Sequence, residues 1–211
     1  MGIIIDKKVN AECRLGVWQI EEDYNYLFSQ LNLNPNDIKT VENFKSHTRK
    51  LEWLSVRLLL KKLTKRNIHI IYNGNRKPFL SDKSQNISIS HSENYTAVLL
   101  CDQNHSAGID VEKMKSKIEY IAHKFLSDKE ILNINDKKKI YHMYLHWCAK
   151  EALYKLCDKK ELSFKNNITI EPFIPESKGK IYGKVISKKI NIRVKLHYFC
   201  LDNFSFVWCC K

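Results

Sequence analysis

The period of apolar and polar positions changes several times along this chain. Residues 2–20 read as a pair of strands that closes on Val17, Trp18 and Ile20. In residues 21–31, Tyr24, Leu27, Phe28 and Leu31 fall at helical spacing. Residues 41–63 carry a stronger helical pattern. Leu51, Leu54, Leu58 and Leu59 form its stripe, with Phe44 and Trp53 beside it and Arg49, Lys50, Arg57 and Lys61 off it. Residues 68–72 read as a strand, and Asn73-Gly74-Asn75 as a turn. Strands are expected at 86–90, 95–101 and 107–112, and helix at 117–125. Ser127-Asp128-Lys129-Glu130 has the form of a capping box, a serine cap with a glutamate three residues on. A long helix is expected at 138–156, then strands at 168–170, 180–186, 190–198 and 204–209.

This order of strands, helices and strands, repeated once, predicts an α+β chain of two halves. The polar turn Asp102-Gln103-Asn104-His105 marks the boundary, giving residues 1–104 and 105–211. A length of 211 residues suits two such halves, and an apolar fraction of 44 % is that of a globular core. The apolar runs fall short of the roughly 18–20 residues that span a bilayer. Ile3-Ile4-Ile5 is too short for the core of a signal peptide and is followed at once by Asp6, so a cytoplasmic protein is expected. The seven cysteines are odd in number and show no C-x-x-C spacing, which predicts reduced, mostly buried thiols. The formal charge of +13 permits phosphate ligands and acidic protein partners. It equally fits a coding bias toward lysine, because only six of the 36 cations are arginine.

Two segments carry the candidate chemistry. In Gly108-Ile109-Asp110-Val111-Glu112, residues two apart share a strand face, so Asp110 and Glu112 converge. In Trp147-Cys148-Ala149-Lys150-Glu151-Ala152-Leu153-Tyr154-Lys155, a turn of about 100° per residue gathers Trp147, Lys150, Glu151, Tyr154 and Lys155 on one side of a helix. Alone, the first reads as a solvated strand edge and the second as an amphipathic helix with a surface pair. Together they offer three carboxylates among cations, the donor set for a hard divalent ion that bridges a phosphate. Ser90-His91-Ser92 ends a strand with groups suited to phosphate oxygens, or is simply a polar turn. Arg76-Lys77-Pro78-Phe79 leaves the glycine turn with two cations. His142 and His146 stand at i,i+4 but without the acid of an H-E-x-x-H site, and no P-loop, Rossmann or G-x-S-x-G motif occurs.

Arg49 to Arg57, Arg76 to Phe79, Ile87 to Ser92 and the two segments above, in this order, resemble the 4'-phosphopantetheinyl transferases of the surfactin-activating (Sfp/EntD) type. Arg76 departs from the pattern, standing where that family usually has glycine. The resemblance implies two similar α+β halves related by a pseudo-twofold. It implies transfer of the phosphopantetheine arm of coenzyme A to a serine of an apo acyl carrier protein or peptidyl carrier domain, with Mg²⁺ as cofactor. By the same resemblance Asp110, Glu112 and Glu151 are the metal ligands, and Glu151, Lys155 and Lys150 the catalytic residues. Arg49, Lys77, Ser90, His91 and Lys155 are then the coenzyme A ligands. The expectation is a monomer without nucleic-acid or membrane partners. A basic nucleic-acid-binding protein is the alternative from another class, but the densest lysine runs, Lys137-Lys138-Lys139 and Lys188-Lys189, lack interleaved aromatics.

Overall fold

Strand β1 (Gly2–Lys8) turns back into β2 (Cys13–Gln19) through Asn10, whose Oδ1 accepts the Glu12 and Cys13 amides. That hairpin opens the first of two compact units, Met1–Asn104 and His105–Lys211, of the computed structural model, which describes residues 2–158 and 161–211. Three helices follow: α1 (Tyr24–Ser29), α2 (Pro35–Glu42) and α3 (His47–Thr64). Then come β3 (Ile70–Tyr72), β4 (Pro78–Leu80), β5 (Asn86–Ser92) and β6 (Tyr95–Cys101). The sheet of this unit is antiparallel in the order β1-β2-β6-β5, and β3 and β4 pair separately. Leu54, Leu58 and Leu59 of α3 pack on Val98 and Leu100 of β6 and on Ile87 of β5.

Three local readings are corrected here. The single helix expected over 41–63 is two. Asn34 caps α2 with Pro35 in its first turn, the helix stops at Asn43, and Ser46 Oγ accepts the Arg49 amide to start α3. Arg57, expected off the apolar stripe, is buried above the Trp53 ring and donates to the Trp53 carbonyl, with Asp37 at 3.8 Å. Cys13 and Cys101, expected as thiols, form a disulfide. They sit directly opposite in the β2–β6 ladder, and antiparallel pairing brings such residues within bridging reach whatever their sequence separation.

The second unit runs β7 (Ala107–Lys113), α4 (Ile118–Phe125), α5 (Asp128–Leu132), a 3-10 turn at Asp136–Lys138 and the long helix α6 (Lys139–Cys157). It ends in β8 (Ile168–Ile170), β9 (Lys178–Ile186), β10 (Asn191–Leu201) and β11 (Phe204–Cys210). The sheet is antiparallel in the order β7-β11-β10-β9-β8. Leu145, Cys148, Ala149, Ala152, Leu153 and Leu156 recur at i, i+3, i+4 along α6 and bury against Leu196, Val207 and Cys209. The α+β class expected from the pattern holds. Among the described residues no helix is long and apolar enough to cross a membrane.

Candidate active site

The strand and helix singled out in the sequence meet in the second unit, where α6 packs directly on β7. Gly108, Asp110 and Glu112 share the face of β7 that meets the helix. Gly108 sets the distance. A Cβ there would strike the Ala152 carbonyl oxygen and lie 2.9 Å from its carbon and 3.2 Å from Leu156 Cβ. No other residue type lets the helix backbone come this close.

That approach buries the acids. Asp110 is only 4 % exposed, and Lys155 Nζ donates to its Oδ1 at 2.8 Å and to the Ile109 carbonyl at 2.9 Å. Trp147 Nε1 donates to Glu112 Oε1 at 3.4 Å, while its ring packs against Phe125 and Phe164. Burial, and then the neighbouring Asp110 charge, raise Glu112 above the usual carboxylate range. Burial followed by the charge of Asp110 pushes Glu151 up to about 7, although Lys155 pulls the other way. Trp147, Glu151 and Lys155 occupy successive turns of one line along α6, and all three serve the acidic face of β7. The structure couples the three carboxylates through their charge without drawing their oxygens to within 4.8 Å of one another.

Lys150 is not part of this group. One residue before Glu151, it projects about 100° away and is fully buried. Its Nζ donates to Glu130 Oε2 at 2.8 Å and to the Phe125 and Phe164 carbonyls at 2.7 and 2.9 Å. Glu130 closes the capping box of α5 and also accepts the Ile170 amide at 2.8 Å. Burial alone would raise its pKa, but hydrogen bonds and the Lys150 charge hold it at about 2. Lys150 therefore joins α6, α5 and β8 inside the core. The sequence reading missed Glu130 as its partner because the capping box already accounts for that glutamate.

In the first unit, His91 and Arg49 meet. Arg49 Nη1 contacts His91 Nε2, His91 Nδ1 lies 3.0 Å from Glu52 Oε2, and Arg49 Nη1 lies 3.3 Å from the same oxygen. Ser90 does not join them, because adjacent strand residues face opposite ways and His91 takes the α3 side. Lys77 ends the loop between β3 and β4, where Asn73 Oδ1 accepts its amide and that of Asn75. Arg76 adopts φ 62°, in the left-handed region that favours glycine. The chain thus keeps here the backbone path that a glycine would take. Glu52 was missed by the sequence reading; its i,i+3 spacing from Arg49 was the available signal.

An α+β unit with buried acids and a lysine under one helix is the framework of a group-transfer site. Residues 106–209 match the family model described as the 4'-phosphopantetheinyl transferase superfamily. The chain belongs to that transferase superfamily through this domain, which spans nearly all of the second unit. Asp110, Glu112, Lys150, Glu151 and Lys155 lie inside the matched stretch, and Arg49, Lys77, Ser90 and His91 lie outside it. A comparison with curated proteins finds no match.

Proposed function

We propose that this chain is a phosphopantetheinyl transferase of the surfactin-activating type. It moves the phosphopantetheine arm of coenzyme A onto a serine of an apo acyl or peptidyl carrier protein and releases adenosine 3',5'-bisphosphate. The observation that supports this best is the desolvated acidic face of β7 under α6, inside a domain of the superfamily. Carboxylates whose ionisation is resisted by burial and by one another suit a hard divalent cation, which prefers oxygen donors and relieves their repulsion. Mg²⁺ held by Asp110, Glu112 and Glu151 would neutralise the pyrophosphate of coenzyme A and orient it.

The protein's own groups do the rest. Glu151, poised near neutrality, takes the proton of the carrier serine. The serine oxygen bonds to the phosphorus that carries the pantetheine arm, and the P–O bond to the adenosine phosphate breaks. Lys155, anchored on Asp110 with its side chain partly exposed, places positive charge beside the departing phosphate. Arg49, His91 and Lys77 of the first unit bind phosphate oxygens of the nucleotide. Lys150 is assigned to the scaffold.

Incubation with coenzyme A, Mg²⁺ and a panel of apo carrier proteins, followed by mass spectrometry of the carrier, tests the reading. A gain of one phosphopantetheine on the carrier serine is expected, and Asp110→Ala abolishes it in a folded protein. No mass gain on any carrier refutes the assignment.

A further inference from the structure

Glu52 is the residue on which the Arg49–His91 pair is built. A guanidinium only donates hydrogen bonds. The His91 Nε2 that meets Arg49 therefore accepts, and the imidazole proton sits on Nδ1, facing Glu52 Oε2 at 3.0 Å. His91 is neutral in this arrangement, with one tautomer fixed. Glu52 is 7 % exposed. Burial would raise its pKa, but hydrogen bonds and charge from His91 and Arg49 outweigh it, so the carboxyl is ionised.

The charged surroundings of His91 are few. Arg49 and Glu52 face it from α3. Its cross-strand neighbour on β6 is Thr96, which does not titrate. Strand β4, packed on β5, contributes Pro78, Phe79 and Leu80, with the Lys77 ammonium 5.8 Å from the centre of the Phe79 ring. Glu52 is the acid among these groups.

An anion that engages Arg49 takes over the N–H that Nε2 had been accepting. Nε2 is then left facing negative charge, with Glu52 still at Nδ1. Both sides of the ring now favour an imidazolium. We propose that phosphate binding at this triad draws one proton from solvent onto His91 Nε2, and that Glu52 is the positioning residue that makes the uptake possible. The proton balance is one H⁺ in per anion bound, and the ring then donates from both nitrogens. The identity of the anion as a coenzyme A phosphate rests on the transferase reading, whereas the triad itself does not.

Long-range ¹H–¹⁵N spectra of the labelled full chain report the tautomer and charge of each imidazole, and His91→Gln assigns the His91 signals. The protein is titrated at pH 7.5 with coenzyme A and, separately, with sodium sulfate, a dianion that does not itself titrate near neutrality. Free His91 is expected as the Nδ1–H tautomer, and both ligands convert it to imidazolium. Glu52→Gln keeps the shape but not the charge, and lowers the pKa of liganded His91 by about one unit. Circular dichroism checks its fold, and Glu52→Asp serves as a second variant that withdraws the charge. An Nε2–H tautomer in the free protein, or a His91 that stays neutral at saturation with both ligands, overturns the proposal. So does a folded Glu52→Gln protein that titrates like the parent. Protonation by sulfate without any coenzyme A binding would uphold the triad and sink the transferase reading. Coenzyme A binding with His91 unchanged would do the reverse.

Discussion

Replacing Glu151 by Gln separates the electrostatics of the acidic face from its chemistry. In the metal-free native protein the Glu151 carboxyl holds its proton up to about pH 7, against an ordinary 4.5 in the unfolded chain. Between those values the native state binds more protons than the unfolded state, so stability falls as pH rises. The rise from 4.5 to about 7 corresponds to at most about 3 kcal/mol. Partial solvent access of the side chain brings the expected figure to about 1–3 kcal/mol. Gln cannot ionise, so Glu151→Gln is expected to be more stable than the parent by that amount at pH 8 in EDTA, with the difference vanishing near pH 4.5. Urea denaturation of both proteins across this range measures it. Glu112 is present in both and cancels to first order. Adding Mg²⁺ at pH 8 is expected to raise the midpoint of the parent more than that of the variant, a test of the metal reading that needs no turnover. Turnover falls by orders of magnitude in Glu151→Gln. A variant that is equally or less stable at pH 8 in EDTA, or a difference that does not change with pH, refutes the account of Glu151.

Gly108→Ala forces α6 away from β7 and is expected to destabilise the protein by about 1–3 kcal/mol, with transferase activity lost even in the folded fraction; denaturation and activity assays on the same sample check both. Lys150→Met leaves Glu130 buried without its cation and is expected to destabilise by about 3–5 kcal/mol, while Lys150→Met/Glu130→Gln recovers part of that loss. If Lys150→Met instead keeps parental stability and loses only turnover, Lys150 is catalytic after all. The lysine excess predicts that the specificity constant for an acidic carrier protein falls as NaCl shortens the Debye length from about 10 Å at 0.1 M to about 3 Å at 1 M. Steady-state kinetics at saturating coenzyme A and Mg²⁺ would show a flat specificity constant if the excess reflects coding bias alone.

What the sequence revealed and what it hid follow from the range of each signal. The apolar period of α6 and the alternation of β7 are local, so both elements and the common face of Asp110 and Glu112 were legible. The break between α2 and α3 was also written locally, in Asn34-Pro35 and in Ser46, but the apolar stripe ran past it. Lys150 was misread for a different reason. A helical wheel gives the angle between Lys150 and Glu151 but not which neighbour lies at each angle, and a lysine beside a motif glutamate reads as chemistry. Its partner lies in another helix, already occupied in a capping box. Glu52 was hidden in the same way, since its worth depends on His91 arriving from a strand some 40 residues on. The Cys13–Cys101 bridge depends on strand register, which no spacing between two cysteines 88 residues apart encodes.

Gly108 shows why scaffold and chemistry cannot be assigned to separate residues in this domain. It bears no side chain and touches no substrate in the proposed reaction, yet the closeness of α6 to β7 depends on it. That closeness excludes water from Asp110 and brings its charge to bear on Glu151. Without the desolvation, Glu151 would return toward an ordinary carboxylate pKa and be a far weaker base near neutral pH. Lys155 would likewise lose the fixed geometry in which it meets both Asp110 and the Ile109 carbonyl. The Gly-x-Asp-x-Glu spacing therefore encodes three linked quantities: a helix-to-strand distance, the burial that follows from it, and a proton affinity matched to the transfer. A homologous domain with a larger residue at this glycine would need its helix to swing out, and its counterpart of Glu151 would titrate closer to 4.5.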